Sequence, residues 1–315
     1  MHRVVNVGIP GGGVVKCHMA KRMSTMLVAV FFVVIALSSY GFAQDQGFVY
    51  SFVMNQTGQP VTDLTPEDFV VTEDGNEAEV VAADIMSEPM KIALMVDNGI
   101  RIRNGQAINP LRDAVTSFLE TLPPQHLVSL YTIGGNIRRI LDFTDDREEL
   151  VKEGQAIFSD SGDTLRMLDG IRETLERRFD GDETWPVFVM VLTDAPEGSA
   201  FMNQNRYNQF MQNLREKGVI VHAILWSSQN RSNNTEGFAI NLAQNTGGRF
   251  QSLAAVNGME EVLAQLAVDM GNHYDEVSSR YRVVWNRPDP RGERISVSVK
   301  RPGVAVRLFG DRRLD

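Results

Sequence analysis

Two continuous apolar runs that each end at an aspartate constrain the fold of this chain most strongly. Residues 92–96 (IALMV) lead directly into Asp97, and residues 187–192 (VFVMVL) lead through Thr193 to Asp194. Segments in which apolar residues recur with helical spacing lie between such runs. Continuous apolar strands that alternate with helices are typical of a mostly parallel sheet covered on both faces. The pattern predicts an α/β, Rossmann-like, doubly wound fold.

One pair of strand-like segments does not fit a purely parallel sheet. Residues 126–133 and 136–143 are separated only by Gly134 and Gly135. A connection this short joins antiparallel strands, because a parallel neighbour needs a crossover of about a dozen residues. We therefore expect one antiparallel edge strand in an otherwise parallel sheet.

The two flanks of the α/β region have a different character. Residues 47–86 and 281–308 contain strand-like segments without helices between them. Because the ends of a domain are often close in space, we expect these flanks to pair as one small β unit. The expected organisation is a β segment at 44–90, an α/β domain at 91–276 and a second β segment at 277–315.

The first 43 residues have the pattern of an export signal. Lys21 and Arg22 precede twelve mostly apolar residues at 26–37, a length that suits a signal-peptide core and is too short to span a bilayer. Small residues then lead to Ala43, after which we expect cleavage. The pattern predicts a periplasmic or extracellular protein with no stable membrane span after cleavage. An uncleaved membrane anchor is the alternative.

Cysteine content and charge exclude several functions. Cys17 is the only cysteine, so the predicted mature chain can form no disulfide and no cysteine-based catalytic or metal site. Positions 1–43 hold four of the 31 basic residues and none of the 40 acidic ones, which leaves a net charge of −13 for the remainder. So acidic a chain is not expected to bind nucleic acid. His126, His222 and His273 do not cluster in the sequence, which argues against a histidine metal site.

The ends of the two apolar runs indicate a candidate ligand site. Ligands of open parallel sheets bind beyond the carboxyl ends of the strands, and both Asp97 and Asp194 stand at such ends. Two carboxylates at one edge suit a hard cation such as Mg²⁺, and Thr164 at the start of a helix could add a hydroxyl. The alternative is that both aspartates only cap the helices that follow them.

Residues 91–274 resemble a von Willebrand factor type A domain. The strand into Asp97, the segment VLTD at 191–194 and the segment LAQNTGGRF at 242–250 stand where that family has such segments. The resemblance implies a Rossmann-like sheet with a metal-ion-dependent adhesion site. Such a site holds a divalent cation through an Asp-x-Ser-x-Ser loop, a distant Thr and a distant Asp.

The flanks resemble those of a bacterial secreted subset of the same family. The segment PVTDLTPEDF at 60–69 and the segment EDG at 73–75 precede the domain, and RPGV at 301–304 follows it. With these flanks, the resemblance covers nearly the whole predicted mature chain.

The match to the family's metal site is partial. Asp97, Thr164 and Asp194 fit the Asp, Thr and Asp positions, but Gly99 and Arg101 replace the two serines. Gly99 offers no side-chain oxygen, and the charge of Arg101 would repel a cation. The resemblance thus implies a degenerate site that binds Mg²⁺ weakly at most. Arg101 either pairs with a carboxylate in place of the metal or points into solvent.

Two functions from different classes remain. The first is a secreted, non-enzymatic adhesion or scaffold module that binds an unidentified protein partner through the carboxyl-end edge of the sheet. The candidate binding residues are then Asp97, Asn98, Gly99, Arg101, Thr164 and Asp194. The second is a metal-assisted hydrolase or phosphotransferase on the same sheet. The sequence contains no recognisable motif for a nucleophile and its base, which favours the first function.

Overall fold

The computed structural model describes residues 45–179, 185–200, 203–227 and 233–309. The signal peptide predicted at 1–43, with its cleavage site, lies outside these ranges. The described residues from Gly47 onward belong to one compact unit, to which the following description applies. Among the described helices, none is both long and apolar enough to cross a membrane.

The described part of the chain contains twelve strands, seven α-helices and two short 3₁₀ helices at Pro66–Asp68 and Val256–Gly258. The strands are β1 (Gln46–Asn55), β2 (Phe69–Glu73), β3 (Asn76–Ile85), β4 (Met90–Val96), β5 (Leu127–Thr132), β6 (Arg138–Thr144), β7 (Trp185–Thr193), β8 (Ile220–Trp226), β9 (Phe250–Leu253), β10 (Tyr281–Asn286), β11 (Ile295–Val299) and β12 (Val304–Phe309). The helices are α1 (Ile100–Asn104), α2 (Ile108–Thr121), α3 (Arg147–Gln155), α4 (Met167–Arg178), α5 (Gln204–Glu216), α6 (Asn233–Thr246) and α7 (Met259–Ser278).

The central sheet has the strand order β6-β5-β4-β7-β8-β9. Strand β4 pairs in parallel with β5 and β7, and the parallel pairing continues through β8 to β9. Only β6 is antiparallel to its neighbour β5, as the two-glycine connection predicts. The chain leaves β4 toward β5 on one side and returns to β7 on the other, so the strand order reverses at β4.

Helices cover both faces of the central sheet because alternate residues of each strand point to opposite sides. In β4, Ile92 and Leu94 belong to a core that also contains buried residues of α2, α3 and α7. Ala93 and Met95 belong to a second core, which includes buried residues of α4, α5 and α6. This arrangement is doubly wound, as predicted. Helix α7 continues to Ser278, so the boundary predicted at residue 276 lies inside a helix.

The flanks form a second sheet of six strands, in the order β11-β2-β3-β10-β1-β12. Its described pairings, β1 with β12, β3 with β10 and β2 with both β3 and β11, are antiparallel. The expectation of a small β unit was therefore wrong in scale, since this sheet has as many strands as the central one. The chain is a mixed α/β fold with two sheets, and not a single mostly parallel sheet with a minor appendage.

A tight turn in the second sheet holds a loop from the other end of the chain. Asp74 and Gly75 both have positive φ (48° and 88°), as a two-residue hairpin turn requires. The carboxylate of Asp74 accepts hydrogen bonds from the backbone N–H groups of Glu293 at 2.9 Å and Arg294 at 3.2 Å. The EDG segment thus closes a hairpin and also fixes the connection between β10 and β11.

Candidate functional site

The two predicted aspartates lie together at the carboxyl edge of the central sheet. Asp97 directly follows β4 and Asp194 directly follows β7, and these strands are parallel neighbours with Val96 beside Val191. The backbone N–H of Asp97 donates to the carbonyl oxygen of Val191 at 2.8 Å, which continues the ladder past the end of β4. Because the strand order reverses at β4, this is the position where open α/β sheets bind ligands.

Asp97 is 1% exposed, and donors from the protein occupy its carboxylate. Its Oδ1 accepts a hydrogen bond from the N–H of Gly99 at 2.9 Å, and its Oδ2 accepts one from the hydroxyl of Thr193. Burial raises the pKa of Asp97 despite these hydrogen bonds, and the negative charge of Asp194 adds to the rise. The sequence prediction does not include Thr193, whose only signal is its position directly before Asp194.

Arg101 forms an ion pair with Asp194. Its Nε lies 3.7 Å from Oδ1 of Asp194, and the two side chains are 30% and 3% exposed. The sequence leaves two orientations for Arg101, toward a carboxylate or into solvent. In the structure, Arg101 pairs with a carboxylate. The pair forms because Gly99 is the N-cap of α1, which places Arg101 within its first turn, above the end of β7.

Gly99 lies where no side chain fits. An ideal Cβ at this position would be 2.7 Å from the carbonyl oxygen of Gly162 and 3.1 Å from Oδ1 of Asp97. The N–H of Ile100 donates to the same carbonyl at 2.7 Å. Gly134 is as closely packed, since its ideal Cβ would be 2.4 Å from the nitrogen of Gly99. The loops that contain Gly99, Gly134 and Gly162 therefore pack backbone against backbone over this edge. They fill the space that a serine side chain at position 99 would need.

Asn98 joins these loops through its side chain and its backbone. Its Nδ2 donates to the carbonyl of Phe158 at 2.8 Å, and its Oδ1 accepts from the N–H of Gly134 at 3.3 Å. Its own carbonyl accepts from the N–H of Asp160 at 2.6 Å. The side chain is 3% exposed, so its polar atoms serve the protein's own loops.

Thr164 lies in the loop before α4, beside the β5–β6 connection. Its carbonyl accepts a hydrogen bond from Gly135 at 2.7 Å. Its side chain packs on Gly198, whose ideal Cβ would lie 2.8 Å from Thr164 Oγ1. Within the described residues, Thr164 makes no hydrogen bond to Asp97 or Asp194. The structure thus pairs Arg101 with Asp194 and packs Thr164 against the loop that follows Asp194.

The donor set does not fit a tightly held cation. Within the described ranges, no group of three or more histidine, cysteine, aspartate or glutamate side chains is arranged to hold a metal ion. Asp97 already accepts two hydrogen bonds, and Asp194 already faces a guanidinium. Mg²⁺ takes about six oxygen ligands, so a cation here would rest on water and on two carboxylates that already have other partners.

An exposed aromatic residue near this edge was missed at the sequence level. Phe158 is 52% exposed, and its backbone carbonyl is the acceptor for Asn98. The guanidinium carbon of Arg138 lies 5.6 Å from the centre of its ring. The only sequence signal is a phenylalanine between a helix and the polar segment SDSGD, and such a position does not reveal exposure.

A buried carboxylate beyond β7 was also missed. Glu197 is 7% exposed and accepts hydrogen bonds from the N–H groups of Met167 at 3.1 Å and Ser199 at 2.9 Å. Burial raises the pKa of Glu197 to about 7, and the negative charge of Asp169 contributes. The hydroxyl oxygen of Ser199 accepts the N–H of Asp169 at 2.9 Å. These groups fasten the loop after β7 to the first turn of α4.

No model of a protein family and no curated protein sequence matches the chain. Several solved structures are similar. One is a von Willebrand factor type A protein from Catenulispora acidiphila, with 9% identity over 73% of this chain and 51% of that chain and a TM-score of 0.49. Another is proximal thread matrix protein 1 of the mussel byssus with a zinc-occupied MIDAS motif, with 11% identity over 68% and 49% of the two chains and a TM-score of 0.46.

A third is the vWF domain of the type V pili tip protein Mfa5 from Porphyromonas gingivalis, with 10% identity over 59% of this chain and 96% of that domain and a TM-score of 0.46. The chain spans about half the length of the first two proteins. At these identities the likeness concerns the fold alone. In fold, the chain is similar to von Willebrand factor type A domains, as its motifs predicted.

Proposed function

We propose that this chain is an exported, non-enzymatic module that binds a protein partner through the carboxyl edge of its central sheet and needs no divalent cation to do so. The observation that carries the proposal is the ion pair between Arg101 and Asp194. Export rests on the sequence pattern of residues 1–43 alone.

The ion pair supports metal independence by a charge argument. A cation at this edge would have to neutralise Asp97 and Asp194, and Arg101 already supplies a positive charge next to Asp194. At 3.7 Å this contact is an ion pair and not a hydrogen bond, and it offsets part of the negative charge without any metal. Gly99 has no room for the hydroxyl that would complete a cation's shell. Any Mg²⁺ bound here would therefore bind weakly.

The exposed side chains near the same edge support protein binding. Phe158 and Arg138 form a cation–π pair at the surface, and Phe158 is half exposed. Aromatic and arginine side chains are enriched among the residues that contribute most to protein–protein binding. Asn98 holds the backbone of Phe158 in place, so the aromatic side chain is presented on a fixed loop.

The positions of the histidines support a binding role over catalysis. His126 directly precedes β5 and so lies at its amino end, His222 lies within β8, and His273 lies in the second half of α7. None of them hydrogen-bonds to Asp97 or Asp194 within the described residues. These three histidines are therefore not placed to act as a general base beside those carboxylates.

The experiment that tests the proposal is affinity capture with the exported chain as bait. We expect the captured partner to remain bound in excess EDTA and to be lost when the bait carries Phe158→Ala. The matched control is Phe48→Ala, since Phe48 is 51% exposed on the second sheet. Loss of the partner on EDTA treatment, or equal capture by the Phe158 and Phe48 variants, would contradict the proposal.

A further inference from the structure

A groove between α4 and α5 has a volume of about 620 Å³ and is open to solvent on one side. This volume lies within the range of small-molecule sites. Its α4 wall presents Asp169, Arg172 and Glu176, and its α5 wall presents Arg206, Gln209 and Asn213. Each set has the spacing i, i+3, i+7, which places its members along one face of a helix. The groove is thus lined by two facing polar stripes.

The charges on the two walls differ in how they are paired. Arg172 Nη1 lies 3.2 Å from the carboxylate of Glu176, and its Nη2 lies 3.5 Å from that of Asp169. The exposed guanidinium of Arg206 has no acidic partner among the described residues. A positive charge is therefore available on the α5 wall, and it favours a ligand with a carboxylate or another anionic group.

The remaining polar groups favour a ligand rich in hydroxyls. The side-chain amides of Gln209 and Asn213 make no hydrogen bond to described residues, and an amide both donates and accepts. Asp169 and Glu176 only accept when ionised. Asp169 is 2% exposed and already accepts hydrogen bonds from Arg166 and Ala200. A ligand hydroxyl would therefore donate to Glu176 and accept from the amides of the α5 wall. A phosphate would bring extra negative charge beside the two carboxylates and is less suited.

The apolar part of the lining is small. Phe210 is 5% exposed and offers one aromatic surface at the base of the groove. Peptide side chains that anchor in a pocket need more apolar area than this. A sugar ring needs only one apolar surface for its C–H face and polar partners around its rim.

We propose that the groove between α4 and α5 binds a carboxylate-bearing saccharide, a uronic acid either free or within a polysaccharide. Arg206 pairs with the ligand carboxylate, Gln209 and Asn213 bind its hydroxyls, and Phe210 contacts its ring. This inference does not rest on protein binding at the carboxyl edge, because none of the four residues belongs to that site.

Calorimetric titration of the full chain with D-glucuronate, D-glucose and acetate tests the assignment. We expect glucuronate to bind, and glucose and acetate each to bind at least about 10-fold more weakly. Glucose lacks the carboxylate, and acetate lacks the sugar ring and its hydroxyls. Arg206→Ala should weaken glucuronate binding by about 10- to 100-fold, the loss of a charge-assisted hydrogen bond. The matched control is Arg215→Ala, an exposed arginine of the same helix that does not line the groove. A uronate oligosaccharide in place of glucuronate distinguishes a polymer ligand from a free sugar.

Three results would overturn the inference. The first is the absence of binding of both glucuronate and the oligosaccharide into the millimolar range. The second is equal affinity for glucuronate and acetate, which would indicate an unselective anion site. The third is an equal loss of binding in Arg206→Ala and Arg215→Ala, because long-range charge would then account for the binding without the groove.

Discussion

The indole N–H of Trp285 donates to Oε1 of Glu73 at 2.7 Å, across 212 positions of the sequence. Glu73 is fully buried in the second sheet, and its other oxygen accepts the N–H of Gly292 at 2.9 Å. Gly47 lies against the same indole, since an ideal Cβ there would be 2.5 Å from the ring of Trp285. One carboxylate thus joins the first hairpin of the chain to its last strands.

We expect Glu73→Gln to lower the free energy of unfolding by about 1–3 kcal/mol, the cost of leaving a buried donor unpaired. The amide has one acceptor oxygen for the N–H donors of Trp285 and Gly292, and its NH₂ must face one of them. The substitution also removes the charge that pairs with Arg287 at 3.7 Å. Denaturant unfolding measures the effect. The control is Glu79→Gln, at an exposed glutamate that accepts from Asn286 at 2.8 Å, and it should stay within about 0.5 kcal/mol of wild type. Equal effects at the two positions would mean that Glu73 does not hold the chain ends together.

The pair between Arg101 and Asp194 leads to a second prediction. Arg101→Ser removes the guanidinium and leaves a nearly buried carboxylate without that charge. Because Arg101 is partly exposed, we expect a loss of about 1–2 kcal/mol in the free energy of unfolding. Added Mg²⁺ should restore part of this loss in the variant and leave the thermal unfolding of wild type unchanged.

The control for this experiment is Arg103→Ser, two residues further along α1 and exposed to solvent, which should be nearly neutral. Calorimetric titration of the wild-type protein with Mg²⁺ and Mn²⁺ tests whether the site binds a divalent cation even with Arg101 present. A tight site in wild type that Asp97→Ala abolishes would show that the loop still coordinates a cation in spite of Gly99 and Arg101.

A third prediction concerns the position of the missing serine. Gly99→Ser would add the hydroxyl that the family's loop carries, but its Cβ would meet the carbonyl oxygen of Gly162 at 2.7 Å. The loops must move apart, so we expect destabilisation of about 1–3 kcal/mol and no gain in Mg²⁺ affinity. Gly237→Ser is the control, because nothing lies within 4 Å of a Cβ there. A stable Gly99→Ser protein with tighter Mg²⁺ binding would show that the loops yield easily.

The sequence could place the carboxylates but not their partners. Asp97 and Asp194 come directly after continuous apolar strands, and the rule that parallel strands share an edge is enough to bring them together. Whether Arg101 turns toward Asp194 depends on where α1 begins, and that depends on the approach of Gly99 to Gly162. Such a contact between distant loops has no local pattern that would predict it.

The surroundings of three other side chains were hidden for a similar reason. Thr193 is the last residue of β7, and Glu197 and Phe158 lie in loops, where no periodic pattern indicates which way a side chain points. The hairpin at Asp74 and Gly75 was predictable from its turn residues alone. Its second role, as the acceptor for the β10–β11 loop, follows only from the pairing of strands at opposite ends of the chain.

The last prediction concerns Glu197, whose pKa burial raises from its ordinary value of 4.5 to about 7. The folded protein therefore binds a proton more tightly at this site than the unfolded chain does. The resulting contribution to stability is complete below pH 4.5 and is lost as the pH rises through 7. One pKa unit corresponds to about 1.4 kcal/mol, so the loss between those limits is on the order of 3 kcal/mol.

Glu197→Gln removes this titration, because the amide stays neutral and has the same shape as the protonated acid. We expect the free energy of unfolding of the variant, relative to wild type, to rise between pH 5 and pH 8, as measured by urea unfolding at a series of pH values. Glu120→Gln, at an exposed position of α2, should follow the wild-type profile throughout. Parallel profiles for wild type and Glu197→Gln would show that Glu197 ionises in the folded protein as readily as it does in the unfolded chain. The hydrogen bonds from Met167 and Ser199 would then fully offset the cost of burying the charged carboxylate.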